Sequence, residues 1–284
     1  MSKASRERRA AERASFVQRP FEGMASECDL VAMRELVPAA TTKLTLSGEH
    51  ADRNVTLVTV LPLALPCLTR SSGDVLVALQ TQFPAGDASR QTAAALLAAL
   101  AIDPGATPVS VAIEPGTPKL QEILDPATAL EVTVHDGFAF WVENPNEMTP
   151  EIEASLEQAN AAAPPCTRLT SVEGAYWTHE RDKAWLRWVM PHDEHALLKA
   201  FARLHVAKSD NLLAEGTRYV GAFRAHGLLA PVWEVDLDKS PDDLEDAAKA
   251  MNERIGDALA NDTPLTADER RARDGFVGRQ VTIR

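Results

Sequence analysis

Residues 213–236, LAEGTRYVGAFRAHGLLAPVWEVD, decide the fold, because they set glycine, arginine, histidine and tryptophan between two apolar runs of strand composition. Gly216, Gly221 and Gly227 fall inside or beside these runs. A glycine in such a place marks a bulge, a tight bend or a close approach of another backbone or ligand. The stretch therefore predicts a crowded strand pair. In its second run, Val232 and Glu234 share one face while Trp233 and Val235 share the other. Beyond it, Ser240, Pro241, Asp242 and Asp243 spell a helix start, with a cap, a proline at the first position and acids at the positive end of the dipole.

Arg218, Arg224 and His226 bring hydrogen-bond donors into this pair. Buried charges need partners, so one reading ties each arginine to Glu215, Glu234 or another carboxylate. The sharper reading gathers Arg218, Arg224, His226, Glu215 and Trp233 into a ligand-binding pocket for a small anion, since a guanidinium presents a planar fork to a carboxylate or phosphate. That pocket requires Arg218, Arg224 and His226 to meet at one spot.

Outward from this stretch, the order of elements repeats. Residues 40–45 (ATTKLT) and 165–170 (PCTRLT) each follow a predicted helix and a proline, and share a threonine, a basic residue, a leucine and a threonine in register. Further strands and a helix follow each. The expected class is α+β, with two similar helix-strand-strand-strand-helix halves, mostly antiparallel sheets and helices on one face, an internal duplication. The expected division is a basic arm at 1–22, a first unit at 23–104, a Pro/Gly-rich connector at 105–129 and a second unit with C-terminal helices at 130–284. Within the last, residues 130–134 and 138–142 flank Asp136-Gly137 and predict a hairpin. The final stretch, GFVGRQVTIR, reads equally as a tail or an edge strand.

The chain of 284 residues carries 29 basic and 41 acidic residues, for a net charge of −12, so its body repels nucleic acid and anionic lipid. The charge is uneven. Residues 1–20 hold Lys3, Arg6, Arg8, Arg9, Arg13 and Arg19 against Glu7 and Glu12, which leaves an RNA or ribosome contact open for that arm alone. Its opening has no apolar core, and the apolar run 55–68 is broken by Pro62 and Pro66, so neither secretion nor membrane insertion is read here. Cys28, Cys67 and Cys166 stand far apart, which fits a reduced cytoplasm and signals no disulfide framework.

Motifs for chemistry are sparse. His192 and His195 lie three apart at a predicted helix start, too few for a zinc site and equally suited to capping, so no metal is expected. Neither a phosphate-cradling glycine loop nor Gly-x-Ser-x-Gly occurs, and no cofactor is expected. Trp177, Trp185, Trp188 and Trp233 gather in the second half; Trp185 and Trp188, three apart in a strand, must face opposite ways.

Arg19-Pro20-Phe21-Glu22-Gly23, Leu36-Val37-Pro38-Ala39-Ala40, Leu186-Arg187-Trp188-Val189 before Pro191-His192-Asp193-Glu194, Phe223-Arg224-Ala225-His226-Gly227-Leu228 and Pro231-Val232-Trp233 together resemble a family of actinobacterial proteins of unknown function. The resemblance spans nearly the whole chain. It implies a cytoplasmic bacterial protein and carries over no activity or catalytic residue. The expected function is a protein that binds a partner or ligand, with an enzyme acting on an anionic small molecule as the alternative, His226 or Glu215 serving there as acid or base.

Overall fold

The computed structural model describes residues 16–108, 110–277 and 281–283. Most of the expected basic arm lies outside them. Its described end is anchored: Phe21 is fully buried, and the Arg19 guanidinium grips Glu27 through bonds of 2.7 and 2.8 Å. The chain is α+β and divides into two compact units after Ala163.

The first unit comprises α1 (Glu27–Glu35), β1 (Ala40–Leu44), β2 (Val55–Val60), β3 (Cys67–Thr69), β4 (Val75–Gln80), α2 (Ala88–Ala101), the single turn α3 (Leu120–Ile123), β5 (Thr133–Val134) and α4 (Pro150–Ala162). Its sheet has the order β3-β4-β2-β1-β5, antiparallel except for the parallel pair β2 and β4. Alanine-rich α2 starts at Asp87, whose carboxylate accepts from the Arg90 amide, and docks on the sheet where Thr69 Oγ1 donates to the Ala99 carbonyl at 2.9 Å. Thr69 is paired with Val75, so the alternation of side chains turns Leu76 and Ala78 to the other face. There, Phe140 and Trp141 pack on Val58, Leu61, Leu76 and Ala78.

Two expectations for this region are corrected. Residues 105–129 do not separate the units but lace the first one together: Gly105 N donates to Thr69 O (2.9 Å), Leu120 N to Ser89 Oγ (2.8 Å) and Ala25 N to Pro126 O (2.8 Å). Proline-rich chain thus serves as an ordered strap, and the boundary falls at Ala163-Pro164-Pro165. Asp136-Gly137 does not make a hairpin either. Thr133 and Val134 pair with β1, and residues 139–141 form a 3-10 turn that stacks Phe138 on Trp141, three apart, with centroids at 4.3 Å. Gly137 serves close approach instead, since a Cβ there would sit 2.4 Å from Asn160 Oδ1 of α4, the atom that accepts from Phe138 N.

The second unit runs β6 (Cys166–Arg168), β7 (Ala175–Glu180), β8 (Lys183–Trp188), α5 (Glu194–Val206), β9 (Thr217–Ala225), β10 (Leu228–Val235), α6 (Pro241–Ala260), α7 (Ala267–Val277) and β11 (Val281–Ile283). The sheet order is β11-β9-β10-β8-β7-β6, so residues 281–283 of the final stretch form an edge strand, parallel to β9, and every other pair is antiparallel. Leu186, Trp188, Trp233 and Val235 meet Leu197 and Phe201 of α5 and Leu244, Ala248 and Met251 of α6 in one core. Trp185 takes the opposite face, its ring 5.4 Å from Lys183 Nζ. His226 and Gly227 close the β9-β10 hairpin with φ of +47° and +79°, as a two-residue turn of the primed type requires.

The echoing sequences begin β1 and β6, each the first strand of an antiparallel pair, β1-β2 in the first unit and β6-β7 in the second; the helix that precedes β6 in sequence, α4, belongs to the first unit, so the second unit opens on a strand. The third partner differs. β4 runs parallel to β2 after the short insertion β3, whereas β8 returns antiparallel beside β7.

Candidate functional site

The structure does not assemble the residues picked from 213–236. Arg218 projects with its cross-strand partner Glu234 and is ion-paired to it; Lys183 reaches the same carboxylate at 3.1 Å. Arg224 lies on the other face and holds Glu194, in the first turn of α5, with a bidentate grip. Trp233 is fully buried with its indole N–H on the Asp210 carbonyl at 2.7 Å, His226 sits in the hairpin turn and Glu215 is exposed. The two guanidinium groups are thus committed to carboxylates on opposite sides of the sheet. The cause is a bulge: pairing slips between Val232 and Trp233, leaving Val220 without an opposite number, and that extra residue reverses which face the strand presents. His192, Asp193 and His195 form a helix start in which Asp193 caps the amide of Ala196 at 2.9 Å. Among the described residues, no group of three His, Cys, Asp or Glu could hold a metal, and no helix is long and apolar enough to cross a membrane.

A cavity of about 680 Å³ lies instead in the first unit, lined by the apolar residues Pro62, Trp141, Val142, Met148, Ile152 and Leu156 and by the polar residues Ser71, Glu143, Asn144, Glu151 and Ser155. That volume is in the range of small-molecule sites, about 300–1,000 Å³. One wall is fixed to the sheet at three points: Trp141 Nε1 donates to Val60 O at 2.9 Å, Arg70 to Phe140 O at 2.6 Å, and Glu143 accepts from Ser71 N, Ser71 Oγ and Ser72 N at 2.8–3.0 Å.

The other wall is α4. Thr149 accepts from Ile152 N, Pro150 takes the first position, and Glu151 and Glu153 occupy the first turn, so the helix has strong local reasons to form. Its tertiary seat is thin. None of its residues is buried, Ile152 is 46 % exposed, and Asn160 ties it to Phe138 N at 2.8 Å. The helix stands over the cavity with Ile152 and Leu156, one turn apart, among the lining residues.

Ser71 donates to the Glu143 carboxylate from its side chain, and the Ser72 and Ser71 amides add to it, so the carboxyl is held down to about 2. Glu151 is likewise lowered by its hydrogen bond with Thr149. Because these folded-state values lie below the unfolded one, about 4.3, the anchors are complete above that pH and are lost as the pH falls through the folded value. An NMR titration of the Glu143 carboxyl carbon is expected to give a midpoint near 2; an ordinary midpoint would show that the serine turn does not hold it.

Sequence reading missed this site because its lining comes from four separate segments, none carrying a motif. The signal available was the pairing of Ile152 with Leu156 on a helix otherwise poor in apolar residues. No curated protein and no solved structure matches the chain. A family model does, over residues 20–284, in agreement with the resemblance carried by the motifs from Arg19 to Trp233, and the chain belongs to that family, the family of unknown function DUF5926.

Proposed function

We propose that this is a ligand-binding protein whose site is the cavity beneath α4. The carrying observation is that α4, well capped at its start and without one buried residue, has Ile152 and Leu156 in the lining of a cavity of about 680 Å³. An amphipathic helix ordinarily earns its stability by burying its apolar face. A ligand supplies that burial here, at about 25 cal/mol for each Å² of apolar surface covered.

The lining favours binding over catalysis. It contains no histidine, cysteine or lysine, and Glu143, held near 2, is a weak base. None of the three cysteines forms a disulfide, and burial pushes the thiols of Cys67 and Cys166 up to about 12, which makes these two inert packing groups suited to a reducing cytoplasm. Titration of the full chain with 1-naphthol and 1-octanol, followed through methyl NMR signals, tests the site. Met148, Ile152 and Leu156 are expected to shift in a saturable way while Met251, buried in the core of the second unit, stays put. Shifts at Met251 in place of these three, or none up to the solubility limit, would remove the cavity from consideration.

A further inference from the structure

We propose that the cavity selects small organic cations, molecules with an alkyl or aryl body and one ammonium or guanidinium head; this rests on the cavity being the ligand site. The lining carries two carboxylates, Glu143 and Glu151, and no Lys, Arg or His. An anionic ligand therefore enters against two like charges with no counter-charge in the wall, and a neutral one gains nothing from them. A cation gains from both.

The acids are set for this role by their surroundings. Glu143 is positioned by three hydrogen bonds from Ser71 and Ser72, so it need not be ordered when a ligand arrives. Two carboxylate oxygens offer about four acceptor sites, and one remains for a donor from the ligand. Both carboxyls are lowered, so both are charged at neutral pH. In the same lining, Pro62, Trp141, Val142, Met148, Ile152 and Leu156 provide apolar surface for a body of hydrocarbon. Two carboxylates among hydrocarbon side chains suit an amphipathic cation, with a charged head for the acids and an apolar body for the rest of the lining.

Isothermal titration of the full chain with octylammonium, 1-octanol and octanoate at neutral pH and low salt separates the possibilities. Octylammonium is expected to bind about tenfold more tightly than octanol, with octanoate weakest, and its advantage is expected to shrink at about 1 M salt, where the screening length falls to about 3 Å. Glu151→Gln, at an exposed first-turn position, is expected to cut the cation preference to about threefold. Glu143→Gln combined with Glu151→Gln is expected to erase it. Equal affinity of octanol and octylammonium in the unaltered chain overturns the charge selection while leaving the cavity as a site. Heats that Leu156→Lys does not reduce for any of the three overturn the cavity itself. Binding of an amphipathic Lys/Leu peptide without binding of octylammonium overturns the small-cation assignment.

Discussion

Trp233→Ala is expected to lower the unfolding free energy by about 4 kcal/mol, near the upper end for removing a large core side chain. Trp233 is fully buried, and its ring lies 5.5 Å from Tyr219, 5.9 Å from Phe201 and 6.3 Å from Trp188, so it joins both strands of the hairpin to α5. Its N–H meets the Asp210 carbonyl at 2.7 Å inside the protein. Alanine loses the packing and strands that carbonyl at once. Trp233→Phe separates the two losses: it retains most of the ring contacts and is expected to cost about 1–3 kcal/mol, the range for a buried group left unsatisfied. Urea unfolding followed by circular dichroism measures both. An alanine variant within about 1 kcal/mol of the parent would mean that the second core is far less dependent on this ring than its burial implies.

This role also explains why Trp233 belongs to the architecture and not to a pocket with Arg218 and Arg224. In a regular strand, residues 218 and 224 are an even number apart and share a face. Gly221, with φ of +136°, takes part in the bulge that breaks this parity. The sequence announced that something irregular happens near Gly221, but a glycine does not say whether it serves a bulge, a bend or a ligand. The hairpin around His226-Gly227, by contrast, was legible as a strand pair, as were the helix start at Ser240 and the opposed faces of Trp185 and Trp188.

The first unit was legible to a lesser degree. Its helices and β1, β2 and β4 follow from periodicity and caps, yet Asp136-Gly137 misled because its hairpin signal competes with a tertiary one. The 3-10 turn stacks Trp141 on Phe138 and packs Trp141, with Phe140, on Val58 and Ala78, contacts to the sheet that an isolated hairpin would not make. Gly137 then accommodates Asn160, a residue more than twenty positions along that no local rule connects to it. The cavity inherits the same difficulty, since its walls are the 3-10 segment and α4, and their juxtaposition is a tertiary fact.

Leu156→Lys should therefore behave in opposite ways in two measurements. In the folded chain without ligand, neither Leu156 nor any other residue of α4 is buried, and lysine is nearly as good a helix former as leucine, so the melting temperature is expected to stay within about 2 °C of the parent. In the complex the same residue is part of the apolar wall. Losing that surface is expected to cost about 2 kcal/mol, and the added cation repels an ammonium head, so octylammonium affinity should fall by at least about thirtyfold. Ile152→Lys, one turn earlier and more exposed, should reproduce both results. A core residue would show the reverse pattern, with a large loss of stability. A drop in melting temperature with affinity retained would therefore make α4 a structural element whose apolar side the fold already uses, and the ligand would have to bind elsewhere.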